Sequence, residues 1–163
     1  MKKLLLSIAL FLLAFPLFAQ TDQWNTTAST GEIDESSLGI YDYSGARLKF
    51  QGDNIGTIVA RYPVVNTNSL MQEPLWDTMR VTYMDDNAFA RLEAKLVSVD
   101  ECSGEEVTLC DLEPGDTYGD TTCAVCEFDP GINFMTNSYY IEVQLDRASE
   151  FANVELVMLS LSQ

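Results

Sequence analysis

Residues 89–128 read FARLEAKLVSVDECSGEEVTLCDLEPGDTYGDTTCAVCEF and hold all four cysteines of the chain, its clearest strand pattern and its densest acidic loop. Ala90, Leu92, Ala94 and Leu96 fall on one side of an extended backbone, and Arg91, Glu93 and Lys95 on the other. That is the period-two alternation of a strand with one face buried. Ala, Leu, Glu and Lys are also good helix formers, but the strictness of the alternation and the Val97-Ser98-Val99 that follows decide for strand. Ser103-Gly104 turns the chain into a short strand at 106–110, and the loop 111–122 leads to another at 123–128.

The same alternation extends in both directions. In ARLKFQ (46–51), Leu48 and Phe50 oppose Arg47, Lys49 and Gln51, and Gly52-Asp53-Asn54 is a turn signal. Residues 56–65 form a β-branched strand in which Pro63, having no N–H to give to a ladder, predicts an edge or a bulge. Met79, Val81 and Tyr83 face inward from 77–84. Tyr139, Ile141, Val143 and Leu145 do so from the strand around 139–146. The terminal stretch 153–161 is apolar on both faces and closes the core. With about eight strands, turn chemistry between them and no amphipathic helix, residues 46–163 predict an all-β, antiparallel β-sandwich or jelly-roll-like domain. Residues 20–45 are polar and lack a sustained period, which predicts an arm with one short strand near 38–43. Such an arm either stays flexible or adds as a strand to a neighbouring subunit.

The first 19 residues, MKKLLLSIALFLLAFPLFA, have the basic, apolar and small-residue sections of a signal peptide. Export, with a bacterial style of signal, places the mature protein outside the cell, on its surface or in the periplasm. No second apolar run is long enough to span a bilayer. Without Lys2 and Lys3, the remaining 7 basic residues stand against 25 acids, a formal charge of −18. That field repels nucleic acid and anionic lipid. Histidine is absent, which removes His-based triads and His-ligated zinc.

In an oxidising compartment Cys102, Cys110, Cys123 and Cys126 read as disulfides rather than as a zinc or redox set. Four cysteines allow three connectivities. If the strands at 106–110 and 123–128 pair across their loop, Cys110 meets Cys123 and Cys102 is left for Cys126. The local alternative is Cys102–Cys110 with Cys123–Cys126, against which stands the tightness of the CxxC ring. Asp111, Glu113, Asp116 and Asp120, around Pro114-Gly115 and Gly119, are oxygen ligands of the kind calcium takes, although their spacing matches no EF-hand loop. Asp85-Asp86-Asn87 is a weaker candidate of that kind. Trp24, Trp76, Tyr118, Tyr139 and Tyr140 are candidates for stacking on sugar rings, set against the commoner use of such residues as core. Asn25-Thr26-Thr27 matches a glycosylation sequon, a frequent triplet. No pair among the carboxylates stands out as a glycosidase dyad.

The runs GTIVARYPVV, the Asp85-Asp86-Asn87 break, SVDECSG with the later LC and CAVCEF, and SYYIEVQLDR resemble secreted bacterial β-sandwich proteins of no assigned activity, over residues 45–163. The resemblance implies the fold and transfers no functional residue. The features together predict a non-enzymatic structural or surface-assembly subunit of the envelope or matrix, self-associating through its arm or an edge strand. The alternative is a carbohydrate-binding module that uses exposed aromatics, with or without calcium.

Overall fold

The computed structural model describes residues 23–66, 73–86, 88–129 and 131–163. The expected signal peptide at 1–19 and Asn87 lie outside them. The described chain is all-β, with eleven strands: β1 (Gln23–Thr27), β2 (Glu32–Ile33), β3 (Tyr41–Ser44), β4 (Arg47–Phe50), β5 (Gly56–Val64), β6 (Thr78–Asp85), β7 (Ala90–Asp100), β8 (Glu106–Leu112), β9 (Thr122–Glu127), β10 (Asn137–Arg147) and β11 (Val154–Ser162). Every ladder is antiparallel. One sheet runs β3-β4-β11-β6-β9, with β1 also on β11, and the other runs β2-β5-β10-β7-β8.

The inward residues are those the alternation selects. Leu48, Ile58, Met79, Val81, Leu92, Ala94, Leu96, Ile141, Val143 and Leu145 are all fully buried between the sheets. The expectation that the terminal strand is apolar on both faces is corrected: Val154, Leu156, Leu159 and Leu161 are buried in the core while Glu155, Met158, Ser160 and Ser162 lie on the other face, and the run Leu156-Val157-Met158 reflects a register shift between Leu156 and Met158. Pro63 sits on β5 beyond the short β2, which pairs only with Ala60 and Arg61, so the proline faces no ladder on that side.

Two further expectations are corrected. The described part of the polar arm is built into its own sandwich. β1 lies along β11 with Trp24 buried beside Leu161, β2 extends β5, and β3 pairs with β4. The Tyr62 hydroxyl donates to Ala28 O at 2.8 Å, and a Cβ on Gly31 would lie 2.5 Å from the Tyr62 ring. Glycine is therefore required where the arm crosses that ring.

The second correction concerns the cysteines. Cys110 is bonded to Cys126, and neither Cys110–Cys123 nor Cys102–Cys126 forms. β8 and β9 are not a hairpin: each is the outermost strand of a different sheet, and the disulfide joins the two sheets along that side. Cys123 and Cys126 are three residues apart on one strand, so they point to opposite faces. Cys126 turns inward toward the buried Cys110, while Cys123 is exposed and shares a hydrogen bond with the Thr82 hydroxyl at 3.3 Å. Cys102 is a free thiol in the β7–β8 turn. The bridge closes a loop with a sequence separation of 16. By the chain-entropy account, Cys126→Ser costs about 3 kcal/mol in urea unfolding, and Cys123→Ser stays within about 0.5 kcal/mol. Equal losses from the two variants would contradict this pairing.

Candidate functional site

The registers bring four connections to one end of the sandwich. Asp85 pairs with Val154, Tyr83 with Thr122, and Arg147 with both Ala90 and Gly56. The segments 51–55, 88–89, 113–121 and 148–153 and residue Asp86 therefore emerge together, and hydrogen bonds pin the last three segments and Asp86 to one another or to the end of β6. Asp85 O accepts from Thr117 N at 2.8 Å and from Gly119 N at 3.3 Å. The Tyr83 hydroxyl donates to Gly115 O at 2.8 Å. Asp86 N donates to Asn153 O at 3.0 Å, Asn153 N returns to Asp86 Oδ1 at 2.7 Å, and Ala148 N donates to Phe89 O at 2.8 Å.

Arg147 anchors this end from within. Its buried guanidinium donates to Gly52 O at 2.7 Å and Asn54 O at 3.1 Å, to Ser149 O at 3.2 Å, and to Glu150 O. It also lies 5.7 Å from the centre of the Phe50 ring. One side chain thus ties the β4–β5 connection to the β10–β11 connection, using the planar fork that only arginine offers.

On this pinned base stand Phe89, Tyr118 and Phe151, which are 64%, 87% and 85% exposed. They are the exposed aromatics of the described residues, and all three occupy this end. Tyr118 is also the one non-glycine residue among them with a left-handed backbone, at φ 54°. A tyrosine there is strained by about 1 kcal/mol or more, a cost typically found at functional positions.

The aromatics expected from the sequence separate sharply. Trp24, Trp76 and Tyr139 are core residues. Tyr140 is half-buried on the outer face of the five-stranded sheet, between Pro63 and Val97. Only Tyr118 joins the loop end. Phe89 and Phe151 were not singled out, because a phenylalanine in a turn looks like the start of a strand until its surroundings are known. Their one signal is an apolar ring set between turn residues.

The calcium candidates do not converge. Asp111 pairs with Lys95 at 3.6 Å and Glu113 with Arg91 at 2.7 Å. Among the described residues no group of three or more metal-ligating side chains is placed to hold an ion. Asp116 and Asp120 stay on the Tyr118 loop, and both are exposed. Burial first, and then the Asp85 and Asp116 carboxylates, push the Tyr83 phenol above its ordinary range. The opposite end has an open hollow of about 340 Å³ lined by Asp77, Thr78, Glu127, Phe128 and Asp129, in which Phe128 is buried and offers no ring face.

No protein-family model matches this chain, and no curated protein is similar to it in sequence. Solved structures are similar in fold. One is the C-terminal family 6 carbohydrate-binding module of LamC, a marine laminarinase from Zobellia galactanivorans, at a TM-score of 0.55 and 12% identity, covering 86% of this chain and 99% of that one. A β-1,3-glucan-binding family 6 module from Bacillus halodurans gives 0.49 and 11%, covering 86% and 96%. A family 6 module from Clostridium stercorarium in complex with cellobiose gives 0.47 and 11%, covering 86% and 93%. At such identities only the first likeness carries weight, and it concerns the fold alone. This chain folds as a β-sandwich of the kind seen in the laminarinase module.

Proposed function

We propose that this protein is a non-catalytic carbohydrate-binding domain of an exported protein, and that it holds glycan at the loop end of the sandwich. The observation that carries this reading is the segregation of aromatics. Fully buried rings fill the core, while Phe89, Tyr118 and Phe151 stand open on three connections locked to one another. An exposed aromatic lowers solubility, so three of them on one rigid end suit a ligand with flat apolar faces. Sugar rings present such faces through their C–H bonds. The likeness in fold to the laminarinase module makes a glycan the first ligand to try.

The assembly reading loses its main motive, since the described arm residues pair with strands of their own chain.

The test is affinity electrophoresis of the chain from Gln20 onward in gels cast with soluble β-glucan or xylan. Retardation is expected, and Phe89→Ala, Tyr118→Ala and Phe151→Ala together should abolish it without lowering the melting temperature. Tyr118→Gly is the sharper single variant. It relieves the left-handed strain, so stability holds or rises, while affinity falls about tenfold with the loss of one stacked ring. Unchanged retardation in the triple variant would sink the reading.

A further inference from the structure

We propose that the loop end prefers glycans bearing protonated amino groups, such as glucosamine oligomers, to neutral ones, and excludes uronic or sulfated ones. This rests on the glycan reading and specifies its ligand. Each exposed ring has carboxylates in its own turn. Asp116 and Asp120 stand two residues to either side of Tyr118, Glu150 adjoins Phe151, and Asp86 precedes Phe89 by three. Asp53 lies on the neighbouring β4–β5 connection, and Asp53, Asp116, Asp120 and Glu150 are all exposed.

The cations bordering this end are already engaged. Arg91 is held by Glu93 at 2.6 Å and Glu113 at 2.7 Å. Arg147 is buried and turned toward carbonyl oxygens. Among the described residues Arg47, Lys49, Arg61, Arg80 and Lys95 lie within strands rather than on these connections. An anionic sugar would meet carboxylates, and the exposed cation nearest the rings, Arg91, is already paired with Glu93 and Glu113. A protonated amine meets the two things that attract it, a negative field and the electron-rich face of an aromatic ring. Ring and exposed carboxylate in one turn form a cation-receiving arrangement, which the Tyr118 and Phe151 turns present, while the Asp86 carboxylate beside the third ring is held by Asn153 N.

The experiment titrates the chain from Gln20 onward by calorimetry with three oligomers of equal length, built from glucosamine, glucose and glucuronic acid. The buffer is mildly acidic and low in salt, so that the amines are protonated and screening is weak. The glucosamine oligomer is expected to bind about tenfold more tightly than the glucose oligomer, with the uronic oligomer unbound. The preference should shrink to about twofold or less near ~0.5 M salt, where screening acts within a few ångströms. Asp116→Asn, Asp120→Asn and Glu150→Gln together should equalise the two bound oligomers. Removing the three aromatic rings should abolish both.

Equal binding of the glucose and glucosamine oligomers overturns this proposal and leaves the glycan reading intact. So does a preference that survives the three amide substitutions. Amino-sugar binding that persists without the rings also overturns it, as diffuse attraction to an acidic protein. If no oligomer of any charge binds, the glycan reading fails and this proposal fails with it.

Discussion

Trp76→Ala is expected to cost about 4 kcal/mol in urea unfolding, within the range for deleting a buried aromatic. Trp76 lies just before β6, outside any strand, yet it is completely buried. Its ring meets Phe134 edge-on at 6.3 Å, and Phe134 in turn meets Tyr139 at 5.2 Å. Glu73 accepts a bond from Phe134 N at 3.1 Å, so the segment entering β6 and the segment entering β10 are joined by side chains rather than by a ladder. Alanine leaves a hole that rigid neighbours cannot fill. Trp76→Phe should cost only about 1 kcal/mol. It loses ring area but removes an indole N–H that is buried with no hydrogen-bond partner among the described residues. The contrast between the two variants tests the packing directly. An alanine variant within 1 kcal/mol of the parent would place that ring elsewhere.

Arg147→Met should cost about 3–5 kcal/mol, the range for breaking a buried charged network by removing one partner. Methionine roughly keeps the apolar stem beside Phe50 and deletes only the guanidinium, so the loss isolates the bonds to Gly52, Asn54, Ser149 and Glu150. Those carbonyls would then need water at a buried position. Arg147→Lys keeps the charge but cannot reach four carbonyls at once, and should recover less than half of the loss. Amide exchange would localise the effect. Protection should fall first at Ala152 and Asn153, and the loop end should weaken for ligand before the core unfolds. Exchange that rises uniformly over the chain would mean that Arg147 serves the core and not the connections.

Where strands are long and one face is buried, their pattern was legible in the chain. β4, β6, β7 and β10 each carry the alternation that the solvent boundary imposes, whereas in β11 a register shift between Leu156 and Met158 hides the alternation behind an apolar run. The short strand expected near 38–43 overlaps β3 at Tyr41–Ser44, but β1 and β2 were not legible. They are five and two residues long, and too few of their side chains face inward to set up a period against the turns between them. Their burial comes from β11 and β5, which are distant or separately formed partners.

The cysteines divide in the same way. That Cys123 and Cys126 face opposite sides of one strand follows from their spacing alone. Which of them meets Cys110 depends on whether β8 and β9 share a sheet, and they do not. Likewise Asp116, Tyr118 and Asp120 could be read as one exposed acidic turn carrying an aromatic. That Phe89 and Phe151 stand at the same end is a consequence of strand direction and register.

By itself, then, the sequence determined the class of the fold, most strand faces, the acidity and the absence of histidine chemistry, because each is set by residues within a few positions of one another. The tertiary structure alone decided sheet membership, the disulfide, the docking of residues 23–45 and the gathering of three aromatics at one end. Those depend on antiparallel pairings between segments as far apart as Trp24 and Leu161. Local propensity carries no term for such pairings; they are chosen by which buried faces fit together once the whole chain has collapsed.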